Sequence, residues 1–287
     1  MSHRFVVGIG SQRAGSTLLH HLLGAATQAF MHPLKELHYF DTLQGVRSPG
    51  ALQDFCQRQL LREVDHIVKA TEHGFIDDRF RCYLRSCRIL GFSDIAQIDY
   101  LDLFRPFLRS HALLGEVTPE YMLLDLPSIQ AMKQVIGADA AVILVCRDPV
   151  DRTLSAVKLM NAYNNLRMDD GQARNWLQGM IDGNTSWIAA QDAYNDYAAA
   201  IANYSGEFTN FVAISYEGLV RDPTAAAMRI RDATGLDIDI ASFREGLATI
   251  ANDLGEAFDL GGEIRSLLTA RYRQQTRFLE DYFAVQG

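Results

Sequence analysis

The chain has 287 residues, 48% of them hydrophobic and 22% charged, with a formal net charge of −8. That is ordinary globular composition with enough apolar content for a large core. The acidic balance disfavours nucleic acid as a partner and restricts an anionic ligand to a local positive pocket.

Arg4–Gly10 is a short apolar run ending in glycine and predicts a buried parallel strand. From Ser16 to about Ala26, Leu18, Leu19, Leu22 and Leu23 fall at helical spacing, so the chain opens as strand, glycine loop, helix. Residues 30–33 predict a second short strand, and Lys35–Asp41 leaves its end. Residues 50–110 read as mostly helical. Leu113–Val117 is a third strand, stopped by Thr118-Pro119, and Pro127–Ile136 is a helix. Ala140–Cys146 is the strongest strand signal, after which Asp148 at N-cap and Pro149 at N1 open a helix. Residues 164–185 are polar and rich in Asn, Asp, Gly and Gln, and predict an irregular excursion. Phe211–Ser215 is a fifth strand, Asp222-Pro223 starts a helix, and Ser266–Phe283 is a terminal helix.

This alternation predicts an α/β chain of one domain, 1–287. The fold is P-loop-like, with a central parallel sheet of about five strands flanked by helices. Ligands of such sheets bind beyond the carboxyl ends of the strands. Cys56, Cys82, Cys87 and Cys146 form no CxxC pair and read as buried free thiols of a reduced, cytoplasmic protein. No run of about 20 apolar residues exists to span a membrane. The apolar start, Phe5–Ile9, is shorter than the roughly 7–15 residues of a secretory leader.

Gly10, Ser11, Gln12, Arg13, Ala14, Gly15, Ser16 and Thr17 lie between the first strand and its helix. A glycine loop there presents backbone N–H groups at a positive helix end and binds phosphate. The two glycines have the spacing of a triphosphatase cradle, but that signature needs Lys directly after the second glycine. Ser16 stands there, and the basic residue is Arg13, inside the loop. The strongest strand ends in Cys146-Arg147, basic where magnesium chemistry would want Asp. The loop suits a 5′ phosphate carrying one further group.

With these motifs the chain resembles the sulfotransferase family, its bacterial and Golgi, heparan-type branch especially. Gly10–Thr17 resembles the family's 5′-phosphosulfate loop, and Lys35–Asp41 the segment that carries the base in heparan-type members. Gly115–Tyr121 resembles the strand-end segment in the pocket, which implies that Glu116 and Tyr121 line it. Cys146–Arg152 through Ser155 resembles the 3′-phosphate motif. Ser215–Leu219 with Asp222-Pro223 resembles the late strand segment, and a weaker echo lies at Tyr272-Arg273. The resemblance implies 3′-phosphoadenosine 5′-phosphosulfate as co-substrate, adenosine 3′,5′-bisphosphate as product, and a hydroxyl-bearing acceptor, a glycan or small molecule.

Sulfuryl transfer builds charge on the bridging oxygen of the leaving phosphate, and a fixed cation stabilises it there. Arg13 is the candidate, since arginine stays charged and forks onto two oxygens. Ser16 and Thr17 add hydroxyls, and the scheme requires no metal. The acceptor needs a base, and Glu36 is the candidate. If Lys35–Asp41 is extended, Glu36 and His38 share a face that Lys35 does not; His38 then orients the acceptor or assists the proton. Arg147 and Ser155 converge on the 3′ phosphate, with Arg152 on the same helix face as Ser155. The competing readings are a P-loop nucleotide kinase or NTPase, and a nucleotide-binding protein without turnover. The acceptor itself, carbohydrate, lipid or small alcohol, is not encoded in any motif, though Lys35–Asp41 leans toward a carbohydrate, and oligomeric state is equally invisible.

Overall fold

Arg4–Gly10 forms β1, the middle strand of a five-stranded parallel sheet, in the computed structural model, which describes residues 3–164, 168–249 and 261–285. Its neighbours are β2 (Phe30–Met31), β3 (Leu113–Val117), β4 (Ala141–Cys146) and β5 (Phe211–Ser215), in the order β2-β3-β1-β4-β5. β1 pairs with β3 through Val6↔Gly115 and with β4 through Val6↔Ala141. Phe30↔Leu114 and Val142↔Phe211 attach the two edge strands.

The pleat sends alternate side chains to opposite faces. Phe5, Val7 and Ile9 of β1 join Val142 and Leu144 of β4 in one buried core; Val6 joins Ile143 and Val145 in the other. Both faces are therefore apolar, as a parallel sheet covered by helices requires. The helices in chain order are α1 (Ser16–Ala26), α2 (Tyr39–Leu43), α3 (Pro49–Lys69), α4 (Asp78–Phe92), α5 (Tyr100–Phe104), α6 (Leu126–Ile136), α7 (Pro149–Tyr163) and α8 (Asp170–Asp182). There follow α9 (Ser186–Tyr194), α10 (Tyr197–Glu207), α11 (Tyr216–Arg221), α12 (Pro223–Thr234), α13 (Ile240–Thr249), α14 (Gly261–Arg271) and α15 (Arg273–Ala284). Among the described residues, no helix is long and apolar enough to cross a membrane.

The order reverses around β1, because the chain fills β2 and β3 on one side before crossing to β4 and β5. The carboxyl ends at Gly10, Val117, Cys146 and Ser215 thus face one crevice, the switch point where ligands of such sheets bind. Asp148 caps α7 by accepting from the Asp151 amide, with Pro149 opening the helix, as its sequence predicts. The four cysteines are free and buried.

Two segments differ from expectation. Much of residues 164–185 is helical, because Asp169 and Gln172 close a capping box at the start of α8. There Ala173 and Leu177 pack with Val157 of α7 and Leu268 of α14, and Trp176 meets Trp187 edge-on at 4.7 Å. The terminal helix is two helices, interrupted at Tyr272, whose ring is buried against the same cluster.

Candidate active site

The glycine loop is anchored at its first residue. Ser11 donates its amide to Val145 O (2.9 Å) at the end of β4 and its hydroxyl to Tyr194 O (2.8 Å) at the end of α9. The Ala14 amide closes back on Ser11 O at 3.1 Å. Gly15 has φ 98°, and a Cβ there would stand 2.7 Å from the Tyr216 ring, so position 15 admits only glycine. α1 then begins with no side-chain cap and no acidic residue in its first turn. The amides of that turn have no partner within the helix and point into the crevice with the positive end of its dipole.

Cations surround this loop. Arg147 leaves the end of β4, donates from Nη1 to Arg13 O (3.0 Å), and lies 4.9 Å from the centre of the Tyr216 ring. Arg13 donates from Nε to Ser155 Oγ on α7 at 3.1 Å. Arg152 is fully buried, giving hydrogen bonds to Asn195 Oδ1 (2.6 Å), Gln191 Oε1 (3.0 Å) and Gln12 O (3.3 Å). It is a brace beneath the loop, not a phosphate ligand on the face of Ser155. Burial, and then the charges of Arg147 and Arg152, pull Arg13 below the usual guanidinium range. This concentration of positive charge, in a chain of net charge −8, makes the loop a local positive pocket.

The segment 35–41 forms the opposite wall. It is not extended throughout: His38 adopts a left-handed conformation (φ 50°, ψ 33°) and α2 starts at Tyr39. Lys35 enters the site together with Glu36. Lys35 Nζ stands 2.7 Å from Glu36 Oε1 and 3.3 Å from Ser16 Oγ of the loop, so it links the two walls. His38 faces Asp41 through Nδ1 (2.8 Å) and Glu36 through Nε2 (3.4 Å). Burial opposes charge on His38, but the hydrogen bonds to Asp41 and Glu36, with Glu120 nearby, raise it to about 9. The surroundings thus favour the imidazolium, which donates from Nδ1 to Asp41 and faces Glu36 with Nε2. For Glu36, burial favours the neutral acid, yet His38 and Lys35 outweigh it and hold the group down at about 2.

Glu116 and Tyr121 do not line the crevice. Both are fully buried, and Glu116 accepts from Tyr100 Oη, Tyr121 Oη, Thr118 Oγ1 and the Leu37 amide at 2.7–3.3 Å. Tyr121 Oη in turn accepts from the Tyr39 amide at 3.2 Å. These bonds fix the turn that presents Glu36 and His38. Glu120 does reach the site: its Oε2 is 3.7 Å from His38 Nδ1, and its Oε1 accepts from Tyr194 Oη at 3.2 Å. Ligand atoms of Glu36, His38 and Glu120 lie within 4.8 Å of one another, close enough to share a metal ion. Lys35 already neutralises the Glu36 carboxylate that such an ion would need, so the donor set fits proton chemistry better.

Residues 5–239 match the family model described as "Sulfotransferase family". The chain belongs to the sulfotransferase family. Among solved structures, a sulfotransferase from Alicyclobacillus acidocaldarius is similar at 18% identity and a TM-score of 0.57, over 98% of this chain and 95% of that one. A sulfotransferase from Mycobacterium avium is similar at 18% identity and a TM-score of 0.46, over 95% and 76%. The sulfotransferase domain of an olefin synthase from Synechococcus PCC 7002 is similar at 17% identity and 0.45, over 99% and 95%. No curated protein matches the sequence.

In this sulfotransferase the crevice brings together the residues its motifs single out: Gly10–Thr17, Arg147 and Ser155 on one wall, Glu36 and His38 on the other. Lys35, Glu120, Tyr194 and Tyr216 join them without having been assigned there by sequence. Glu120 had one usable signal, since it follows a strand end at the switch point of the sheet. Lys35 had none, because its contacts with Ser16 and Glu36 depend on how the segment is bent against the loop.

Proposed function

We propose that this sulfotransferase moves a sulfuryl group from 3′-phosphoadenosine 5′-phosphosulfate to a hydroxyl of a carbohydrate-type acceptor. The observation that carries the donor assignment is the contact of Arg13 with both Ser155 and Arg147. A cation on the 5′-phosphate loop is thereby joined to two groups suited to a second phosphate. Ser16 after Gly15 and Arg147 at the β4 end speak against a triphosphate held with magnesium.

In the transfer, the bond between sulfur and the bridging phosphate oxygen breaks and a bond from sulfur to the acceptor oxygen forms. Adenosine 3′,5′-bisphosphate leaves, and the acceptor proton passes to Glu36. Arg13 and the amides of the first turn of α1 meet the charge that grows on the leaving phosphate. His38, fixed by Asp41, holds the Glu36 carboxylate in place. Lys35 has two partners, Glu36 and the loop. Drawn toward the donor's anionic group, it leaves Glu36 with one cation fewer, and the proton affinity of the base rises toward what general-base work needs.

Thermal shift tests the donor assignment. Adenosine 3′,5′-bisphosphate is expected to stabilise the protein more than ATP with magnesium, and the reverse ranking would hand the site to the kinase reading. Arg147→Ala is expected to cut the preference for adenosine 3′,5′-bisphosphate over adenosine 5′-monophosphate by roughly tenfold or more, the scale of a hydrogen bond to a charged group. An unchanged preference in binding titrations removes Arg147 from the 3′-phosphate site.

A further inference from the structure

Behind Glu36 and His38 lies a group of polar atoms whose partners are missing. Asp41 Oδ1, Thr42 Oγ1, Arg47 Nε and Glu120 Oε2 are buried and make no hydrogen bond. They are four of the eight such side-chain atoms among the described residues. They come from two neighbouring segments, α2 with the turn after it and the turn after β3. The Arg47 amide donates to Asp41 O at 3.0 Å, and Glu120 Oε2 lies 3.7 Å from the His38 ring that Asp41 holds. Buried polar atoms without partners are uncommon in native proteins, so such a carboxylate oxygen beside a reacting group is a candidate to pair with a bound ligand. Glu120 retains 9% of its exposure. Tyr194 occupies its Oε1, while Oε2 makes no hydrogen bond, and Glu120 shares a cluster with Glu36 and His38 in which ligand atoms lie within 4.8 Å of one another.

We propose that Glu120 determines acceptor specificity: Oε2 accepts a hydrogen bond from a second hydroxyl of the acceptor, adjacent to the hydroxyl that Glu36 deprotonates. The enzyme then selects vicinal diols and hydroxyl-rich acceptors over simple alcohols. This rests on the sulfuryl-transfer reading above and specifies the acceptor half of that site. Oε2 of Glu120 is an acceptor without a donor, and a second hydroxyl of a polyol supplies one, since each hydroxyl donates and accepts. An ammonium suits the place less, because the cations His38 and Lys35 stand beside Glu36. A simple alcohol leaves Oε2 unpaired, and a site built to bond a hydroxyl rejects the analogue that lacks it.

The test uses matched probes, cis-1,2-cyclohexanediol and cyclohexanol, with labelled donor and the full chain. Chelator is present, so that an ion held by Glu36, His38 and Glu120 cannot supply the effect. The unaltered protein is expected to favour the diol in kcat/KM by roughly tenfold or more, mainly through KM. In Glu120→Ala that ratio is expected to fall toward one, and in Glu120→Gln, whose amide oxygen still accepts, to an intermediate value. Equal rates with the two probes, a ratio retained in Glu120→Ala, or a fall of both rates by one common factor overturns the proposal. Binding of adenosine 3′,5′-bisphosphate, measured on the same samples, separates the two failures. If the unaltered protein does not bind it, the sulfuryl-transfer reading falls and the acceptor proposal with it. If it binds but shows no diol preference, only the role of Glu120 falls.

Discussion

Glu36→Gln is expected to lower sulfuryl transfer by about 10²–10⁴-fold, the usual contribution of a general base, while donor binding persists. Glutamine keeps the shape and the contacts of the side chain but cannot take the acceptor proton. Glu36 faces the crevice between Lys35 and His38, in hydrogen-bonding reach of both. Near-normal turnover in this variant would remove Glu36 as the base. A second readout separates loss of the base from a disturbed site. His38 owes part of its raised pKa, about 9, to Glu36. The imidazole titration of Glu36→Gln, followed by NMR, is therefore expected to move down in pH, while Asp41 keeps the ring in place. A ring that titrates as before means that the two side chains are not coupled as the structure shows.

Arg13→Ala is expected to reduce kcat by about 10²–10³-fold, the scale seen when one donor to a developing oxyanion is removed. The loss falls on kcat more than on KM, because the charge that Arg13 meets is largest in the transition state. Two features of position 13 shape the experiment. The residue sits at φ 67°, where a Cβ is strained, so alanine relieves nothing, and its carbonyl holds Arg147 whatever the side chain. Arg13→Lys serves as the companion variant. It keeps the charge but loses the fork to Ser155 and the phosphate, and is expected to recover part of the rate. Equal kcat in the unaltered protein and Arg13→Ala would show that the helix end and its amides carry the leaving-group charge alone.

The glycine loop and Arg147, which the fold brings together and which we propose hold the donor, could be singled out in the sequence because they follow strand ends directly. A glycine after the apolar run of β1 ends a strand and opens a loop at a helix start, and Arg147 follows β4 in the same way. Short-range punctuation of this kind needs no knowledge of the distant chain. The opposite wall was only partly legible. Glu36 and His38 were singled out, but a period of two was assumed for Lys35–Asp41. That rule holds for a regular strand and fails where His38 turns left-handed. Arg152 read as sharing the helix face of Ser155, since helical spacing assigns a face without telling whether that face is covered. Here Asn195 and Gln191, some forty residues away, cover it. Glu116 and Tyr121 read as pocket residues on the resemblance of Gly115–Tyr121 alone, and a motif match does not tell whether its side chains are covered; both are fully buried.

By itself, the sequence determined the parallel sheet and the glycine loop between β1 and α1 with Arg13 inside it, because apolar runs, glycines and helix caps act over a few residues. Tertiary structure alone decided which charges meet. The low proton affinity of Glu36 depends on Lys35 and His38 being turned toward it, and the charge on His38 depends on Asp41 and on Glu120 from the end of β3. Proton affinities in a buried site are set by distances of a few ångströms between groups on separate elements, and spacing along the chain does not encode those distances.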